Sequence, residues 1–183
     1  PVMSRGLGDV YKRQLWDIIL LSLFVSFTAL IIASLLGFIV GYYFAIYNFY
    51  FKKIILIIIN SLMGIPPVVV GLIVYFIFAS GGPLGILQLL YTPSAMIIAQ
   101  TIIIFPIIAS LSHEIFSKNW FEFKDQIRSL NIPFWGSVKL LFNHSYFLLI
   151  TTLLSAFGRA ISEVGAVMIC LLYTSDAADD TNR

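Results

Sequence analysis

The sequence is poor in the residue types that build most catalytic and metal centres. It has one cysteine, Cys170, and two histidines, which excludes a disulfide or a cysteine metal cluster within one chain. It contains no His-Glu-x-x-His spacing, no phosphate-binding loop of glycine, lysine and serine or threonine, and no glycine-rich dinucleotide turn. The residues therefore predict no metal site and no nucleotide or cofactor site in this chain.

Charge is scarce as well. Charged residues make up 11% of the chain, hydrophobic residues 60%, and the mean hydropathy is +0.97. Uncharged runs cover residues 18–51, 54–113 and 140–158. Because about 20 apolar residues cross a bilayer as a helix, these runs predict one, two and one spans, the last continuing to Ile169. The sequence thus predicts an all-α integral membrane protein with four transmembrane helices, and a net charge of +2 does not indicate nucleic-acid binding.

The fourth span contains two opposite charges, Arg159 and Glu163, one helical turn apart. A charge at bilayer depth costs at least about 2.5 to 3.5 kcal/mol, so it is rarely kept there without a partner or a function. Two interpretations remain open. The pair, with Ser162 between its members, lines or gates a transport pathway, or it is a self-compensating ion pair that fixes helix packing.

Two further features lie at membrane depth. Adjacent Pro66 and Pro67 open span two, remove two amide donors and should free the carbonyls of Leu62 and Met63, so the helix must bend or break there. Transporters use broken helices at their pathways, although a simple packing kink fits equally well. In span three, about 94–112, Gln100 is expected to donate an interhelical hydrogen bond in preference to binding substrate.

Small residues mark one face of span one. Three or four positions separate consecutive members of the stripe, which is Ser26, Ala29, Ala33, Gly37 and Gly41. Such stripes let membrane helices approach closely, so this helix is predicted to be scaffold.

Basic residues follow spans one and three, whereas the loop after span two has none. The positive-inside rule then places the N-terminus outside. In the cytoplasmic segment 119–135, Phe123, Ile127, Leu130 and Phe134 recur at helical spacing, which predicts a short amphipathic helix. Asn131 and Pro133 should turn the chain at its end. This helix either lies on the membrane or docks a cytosolic partner.

The two ends, 1–14 and 170–183, have no helical periodicity and resemble translated adapter sequence. We therefore expect both to be artefactual extensions of a membrane domain at 15–169.

Four segments in this order resemble the membrane permeases of binding-protein-dependent ABC importers, and within them the tungstate permeases related to molybdate and sulfate permeases. They are GIPPVVVGL at 64–72, GPLG at 82–85, YTPSAMIIAQ at 91–100 and FGRAISEVGA at 157–166. The resemblance implies an oxyanion importer subunit, for tungstate or else molybdate or sulfate. It also implies that the chain holds four helices of a truncated five-helix core.

The family's cytoplasmic signature maps onto residues 125–131, with its later apolar position on Leu141. The match is degenerate, because Gln126 and Ile127 replace two alanines and Asn131 replaces glycine. The resemblance implies a coupling helix that contacts the ATPase through Glu122, Phe123, Asp125, Ile127, Arg128, Leu130 and Asn131. It further implies a homodimer, cytosolic subunits that hydrolyse ATP, and an extracytoplasmic binding protein.

Two other classes are weaker alternatives. An intramembrane enzyme would need acid-base or nucleophilic chemistry from His113 with Glu114, or from His144 with Ser145. A channel or an assembly subunit would work without ATPase partners.

Overall fold

The computed structural model describes the backbone of residues 2–79, 81–87, 89 and 92–180, and the side chains of this part except those of 2–15, 17, 87 and 164–180. This part forms five α-helices with one 3-10 turn between the third and fourth. They are α1 (Val2–Ile46), α2 (Lys52–Leu62), α3 (Pro67–Phe78), the 3-10 turn (Gly85–Leu87), α4 (Pro93–Ser129) and α5 (Phe134–Asp180).

Three stretches are long and apolar enough to cross a membrane: Ile18–Ile46, Pro93–Ser129 and Phe134–Glu163. Helices α2 and α3 pass the same test only together and meet at an angle of 103°, so they count as a fourth, broken span when the bent pair is taken as one. The predicted all-α membrane architecture is confirmed, with three continuous spans and the bent pair as the fourth candidate.

The small-residue stripe of α1 packs against α4. Ser26, Ala29 and Ala33 are fully buried. A β-carbon added at Gly41 would lie 2.1 Å from Ser112 Oγ and 2.9 Å from the backbone nitrogen of His113. The two helices therefore touch at the distance that only glycine allows, and the close packing predicted for the stripe is confirmed.

Three apolar layers hold the bundle together. One joins α1, α3 and α4 through Val25, Val70, Val74, Met96, Ala99 and Ile103. The next joins α1, α4 and α5 through Ala29, Ala33, Ile104, Ile108, Ala156 and Ala160. The third lies where α1 ends and α4 turns into α5, and contains Tyr42, Ala45, Phe116, Ile127, Leu141 and Leu149. We call this end of the bundle the hairpin end.

Polar contacts tie the same helices within the apolar layers. Asn119 Nδ2 donates to Ser145 Oγ between α4 and α5 at 2.5 Å, and Ser112 Oγ donates to the carbonyl of Gly37 at 3.2 Å. Buried polar side chains are costly unless they are paired, so these hydrogen bonds fix the register of the helices.

The short amphipathic helix predicted at 119–135 is helical only up to Ser129, and it is not an element of its own. Residues up to Ser129 continue α4 without a break, and Phe134 already begins α5. At 1.5 Å per residue α4 is about 55 Å long, whereas the hydrocarbon core is about 30 Å thick. The hairpin end of α4 therefore projects from the membrane as a direct extension of a span.

The turn that ends α4 follows the sequence prediction. Asn131 has φ 54°, the left-handed conformation that asparagine tolerates at a helix end. The amide of Ile132 donates to the carbonyl of Ile127 at 3.1 Å, which closes the turn before Pro133.

The terminal segments 1–14 and 170–183 lie largely outside the described side chains, although the helical backbone extends to Val2 in α1 and to Asp180 in α5. Their assignment as artefactual extensions, and the domain boundaries that follow from it, stay predictions.

Candidate functional site

Helix α5 places Arg159 and Glu163 one turn apart, and Arg159 Nε forms an ion pair with Glu163 Oε1. The arginine side chain is 36% exposed and the glutamate side chain 15%. The i, i+4 spacing thus provides each charge with its partner. Ser162 is exposed, and its hydroxyl donates to the carbonyl of Arg159 at 2.9 Å within the same helix. Whether the pair also lines or gates a pathway stays a prediction.

Gln100 links α4 to the helix that carries the ion pair. It is 2% exposed, and its Nε2 donates to the carbonyl of Ala160 at 3.2 Å. The predicted interhelical hydrogen bond is confirmed. Gln100 Oε1 and Glu163 Oε2 are buried without a hydrogen-bond partner in the described part of the chain. The structure therefore places Gln100 against the turn of α5 that carries Arg159 and Glu163, whose opposite charges compensate each other. We call these three residues the polar region.

The broken span meets at Pro66 and Pro67. Pro66 is extended, with φ −62° and ψ 136°, and Pro67 is the first residue of α3. The expected bend is confirmed, but the prediction that the carbonyl of Leu62 is freed is wrong. That carbonyl accepts a hydrogen bond from the amide of Ile65 at 3.2 Å, because the chain tightens into a 3-10-like turn before the prolines.

The break lies beside α4. Val70, in the first turn of α3, packs in one apolar cluster with Ala99 and Ile103 of α4, and Ala99 adjoins Gln100 in sequence. Helix α4 therefore contacts both the broken span and, through Gln100, the helix with the ion pair.

The seven residues predicted to contact an ATPase divide into two groups. Ile127 is buried against the hairpin end of the bundle, and Phe123 packs edge to face on the His144 ring at a centroid distance of 4.7 Å. The exposed residues are Glu122, Asp125, Arg128, Leu130 and Asn131. The expected common apolar face is therefore wrong, because Leu130 is 72% exposed and Phe134 belongs to the next helix.

A polar cleft of about 560 Å³ between α2 and α4 was missed by the sequence reasoning. Its lining includes Asn60 from α2, with Ser110, His113, Glu114, Ser117 and Lys118 from α4. Ser110 Oγ donates to Asn60 Oδ1 across the cleft at 2.5 Å. The signal was present, since the α4 residues recur every three or four positions on one helical face.

Two of the residues considered for an intramembrane enzyme, His144 and Ser145, have packing roles, whereas His113 and Glu114 line the cleft. His144 packs on Phe123, and Ser145 accepts the hydrogen bond of Asn119. Within the described residues, no group of three His, Cys, Asp or Glu side chains is placed to hold a metal ion.

A bundle with a broken span and ionic side chains at membrane depth defines a multi-pass membrane protein of the transporter class. Comparison with known proteins narrows this class. The chain is 39% identical over 159 residues to the tungstate uptake system permease protein TupB of Peptoclostridium acidaminophilum, which covers 87% of this chain and 70% of that protein.

It is also 36% identical over 164 residues to the probable anion ABC transporter permease protein of Haloferax volcanii, covering 90% of this chain and 71% of that protein. A TupB protein of Campylobacter jejuni is 36% identical over 124 residues, covering 67% and 52% respectively. No family model matches the chain. The chain belongs to the family of ABC transporter permeases that includes these tungstate and anion permeases.

Proposed function

We propose that this chain is the membrane-spanning subunit of an ATP-driven importer that carries a tetrahedral oxyanion, tungstate first, across a prokaryotic cell membrane. Membership of the anion permease family supports the class, and two relatives that are tungstate uptake permeases support the substrate. Molybdate or sulfate is the alternative substrate within the same class.

The observation that carries the proposal is the continuity of α4. One continuous helix extends from its exposed tip at Arg128 to Gln100, whose side chain donates a hydrogen bond to the backbone carbonyl beside Arg159. A displacement applied at the tip therefore reaches the polar region through a single helix. This is the mechanical element that an importer needs to couple a soluble motor to a membrane pathway.

The motor in this proposal is a cytosolic ATPase subunit that docks on the hairpin end. The exposed residues Glu122, Asp125, Arg128, Leu130 and Asn131 offer it both charged and apolar contacts. Phe123 and Ile127 anchor the same segment to the bundle. Nucleotide chemistry belongs to the partner, which drives the spans between inward-open and outward-open states.

The hairpin end is cytoplasmic in this proposal, and the N-terminus is outside. The basic residues concentrate at that end, in accordance with the positive-inside rule. They are Lys52, Lys53, Lys118, Lys124, Arg128 and Lys139. An extracytoplasmic binding protein then delivers the anion to the opposite end.

The anion would pass between two copies of the chain. In this mechanism Arg159 supplies a positive field for the dianion, and Glu163 holds the guanidinium in place when no anion is bound. An approaching oxyanion competes with the carboxylate for the same cation, so the ion pair acts as a latch. The partly exposed arginine, at 36%, suits this exchange better than a fully buried one.

The test is uptake of radiolabelled tungstate into permease-deficient cells that contain the cognate binding protein and ATPase, with molybdate and sulfate as competitors. We expect ATP-dependent tungstate uptake that resists excess sulfate. Uptake of only sulfate or molybdate would retain the importer class and change the substrate, whereas uptake without the ATPase would indicate a channel.

The latch is separated from a simple packing pair by a neutral double variant, Arg159→Gln with Glu163→Gln. A packing role predicts normal expression and normal uptake, because no uncompensated charge remains. A latch predicts normal expression with lost uptake. Glu163→Gln alone leaves an unpaired arginine and serves as the comparison for stability.

Docking at the tip is tested with Leu130→Ala. Because this side chain is 72% exposed, its truncation should leave the thermal stability of the permease unchanged while weakening ATPase co-purification. Ile86→Ala is the matched control, since Ile86 is 94% exposed on the α3–α4 connection. Equal loss in both variants would contradict docking at this tip.

A further inference from the structure

A small basic pocket lies at the hairpin end, apart from the polar region around Arg159. It has a volume of about 300 Å³ and lies between the end of α1, the start of α2 and the projecting part of α4. Three cations line it, Lys52, Lys124 and Arg128, together with Asn48, Ser117 and Trp120. No carboxylate belongs to its lining.

The three cations have no anionic partner in the described part of the chain, where Arg159 and Glu163 form the ion pair within 4.0 Å. Lys52 Nζ donates to the neutral Asn48 Oδ1 at 3.1 Å. Lys124 Nζ lies 4.6 Å from the centroid of the Phe121 ring. Three like charges around one small space repel each other, so an anionic group in that space lowers the free energy of the arrangement.

Helix geometry gives the depth of the pocket in the membrane. The apolar part of α1, Ile18–Ile46, is about 42 Å long at 1.5 Å per residue. Along α4, Ser117 and Lys124 lie about 36 and 47 Å from the helix start. A bilayer with its headgroups is about 40–45 Å thick. On both helices the pocket therefore lies at the outer edge of the headgroup layer, with Ser117 within that layer and Lys124 just beyond it.

Aromatic side chains mark the same layer. Tyr43 and Tyr47 at the end of α1 have ring centroids 4.8 Å apart, and Phe44 and Phe49 have centroids 5.4 Å apart. Trp120 lines the pocket itself. Tyrosine and tryptophan concentrate where membrane proteins cross the headgroup region, so this cluster agrees with the depth given by the helices.

We propose that the basic pocket binds the phosphate group of an anionic phospholipid from the leaflet at the hairpin end. Lys52 and Lys124 contact the phosphate, and the exposed Arg128 lies at the rim of the pocket, where it adds positive charge while it remains accessible to the ATPase. The apolar side chains of Ala45 and Ile46 line the remaining wall. Basic pockets between helices at this depth are suited to lipid headgroups. The bound lipid would tie the α1–α2 connection, through Asn48 and Lys52, to the projecting part of α4.

This inference stands apart from the identity of the transported anion, because it depends on residues at the hairpin end alone. If the lipid ties the α1–α2 connection to α4, the position of the α4 tip near Arg128 should depend on the lipid composition of the membrane. A permease without anionic lipid would keep its spans but lose the link between α2 and the tip.

Trp120 provides a site-specific probe. The chain has three tryptophans, so Trp16→Phe with Trp135→Phe leaves Trp120 as the single emitter. In phosphatidylcholine nanodiscs doped with brominated phosphatidylglycerol, we expect stronger quenching of Trp120 than with brominated phosphatidylcholine. Equal quenching by the two lipids in the purified permease would overturn the proposal.

Charge variants test the cations in the same background. Lys52→Gln and Lys124→Gln should each lower the apparent affinity for phosphatidylglycerol roughly five-fold, from about 1 kcal/mol per basic residue near a membrane surface. Lys53→Gln is the matched control, because Lys53 is exposed at the adjacent position and does not line the pocket. An equal loss of apparent affinity in Lys53→Gln would show that general surface charge causes the effect, and it would contradict a specific binding pocket.

Soluble anions distinguish the source of the phosphate. Inorganic phosphate or tungstate, compared with sodium chloride at matched ionic strength, should leave the quenching unchanged. Selective relief by either anion would assign the pocket to a free oxyanion and overturn the lipid assignment. Native mass spectrometry of the unmodified permease gives a readout without variants, with preferential retention of phosphatidylglycerol expected and equal retention of both lipids contradicting the proposal.

Discussion

Two segments contain proline at membrane depth, and only one of them breaks. At Pro66 and Pro67 the axis of the second span turns by 103°. Helix α4, by contrast, continues through Pro106 from Pro93 to Ser129. An interior proline removes one hydrogen bond and costs about 3 kcal/mol or more in a helix, so proline alone does not account for the difference.

The different surroundings of the prolines account for the difference between the two segments. Pro106 is fully buried, and α4 packs on α1 along the small-residue stripe, so tertiary contacts offset one missing hydrogen bond. Helix α2 has Ile59 as its buried residue, and two adjacent donors are missing at the break. A helix enclosed by its neighbours tolerates proline, while a peripheral helix uses it to turn.

The largest expected effect comes from Pro66→Ala combined with Pro67→Ala. Two restored amide donors should favour a straighter span, which would abolish anion uptake if the break shapes the pathway. Spin labels on cysteines at the exposed positions Ile57 and Phe76, with Cys170→Ser, measure the bend. Their separation should increase toward the about 28 Å of a continuous helix.

Pro106→Ala is the control for that experiment. It restores one donor in a helix that is already continuous, so uptake and the shape of α4 should stay unchanged. If Pro106→Ala abolished uptake as fully as the double variant, the contrast between the two prolines would not hold.

A smaller effect is expected when the packing that keeps α4 continuous is disturbed. In Gly41→Ala the new methyl group meets Ser112 Oγ and the backbone of His113. Such overpacking typically costs about 1–3 kcal/mol. Thermal unfolding of the purified permease in detergent should show a lower midpoint.

The matched control is Gly158→Ala in α5, where an added β-carbon has nothing within 4 Å. This substitution should stabilise the permease by about 0.5–1 kcal/mol, because alanine is more favourable than glycine within a helix. Equal destabilisation by both substitutions would show that helix packing at Gly41 is not the cause.

The smallest effect belongs to the hydrogen bond between α4 and α5. Gln100→Leu removes the donor to Ala160 but also removes the unpaired Oε1. We expect the free energy of unfolding to fall by about 0.6 kcal/mol, which is the average contribution of an interhelical hydrogen bond in a membrane protein. Thr101→Val is the control, since Thr101 bonds to Ile97 within α4 and its replacement should not alter contact with α5. A larger loss in Thr101→Val than in Gln100→Leu would contradict a pinning role for Gln100.

Much of the site could be predicted because its residues are exceptional in their setting. Arg159 and Glu163 stand out within an apolar run, and their spacing alone predicts the pair. Asn131 and Pro133 predict a turn, because asparagine tolerates the left-handed conformation and proline disfavours helix at the residue before it. The cleft lined by Ser110, His113 and Lys118 could not be predicted from the sequence, because this face of α4 forms a cleft only where α2 packs beside it.

The projecting tip shows the limit of periodicity. Phe123 and Ile127 fall at helical spacing with Leu130, yet Leu130 points into solvent because α5 reverses direction immediately after the turn. A pattern reports which residues share a helix face, and it does not report how far a neighbouring helix covers that face.

The sequence by itself determined the membrane class, the spans, the small-residue face of α1, the break at Pro66 and the turn at Asn131. Each of these follows from local physics: the cost of charge in lipid, the missing amide of proline, and the backbone conformations that asparagine and glycine allow. Only the tertiary structure decided that α4 continues through Pro106, that Gln100 meets Ala160, and that Lys52 joins Lys124 and Arg128 around one pocket. Those outcomes depend on contacts between helices far apart in the chain. Such contacts contribute to stability only after the helices have packed together.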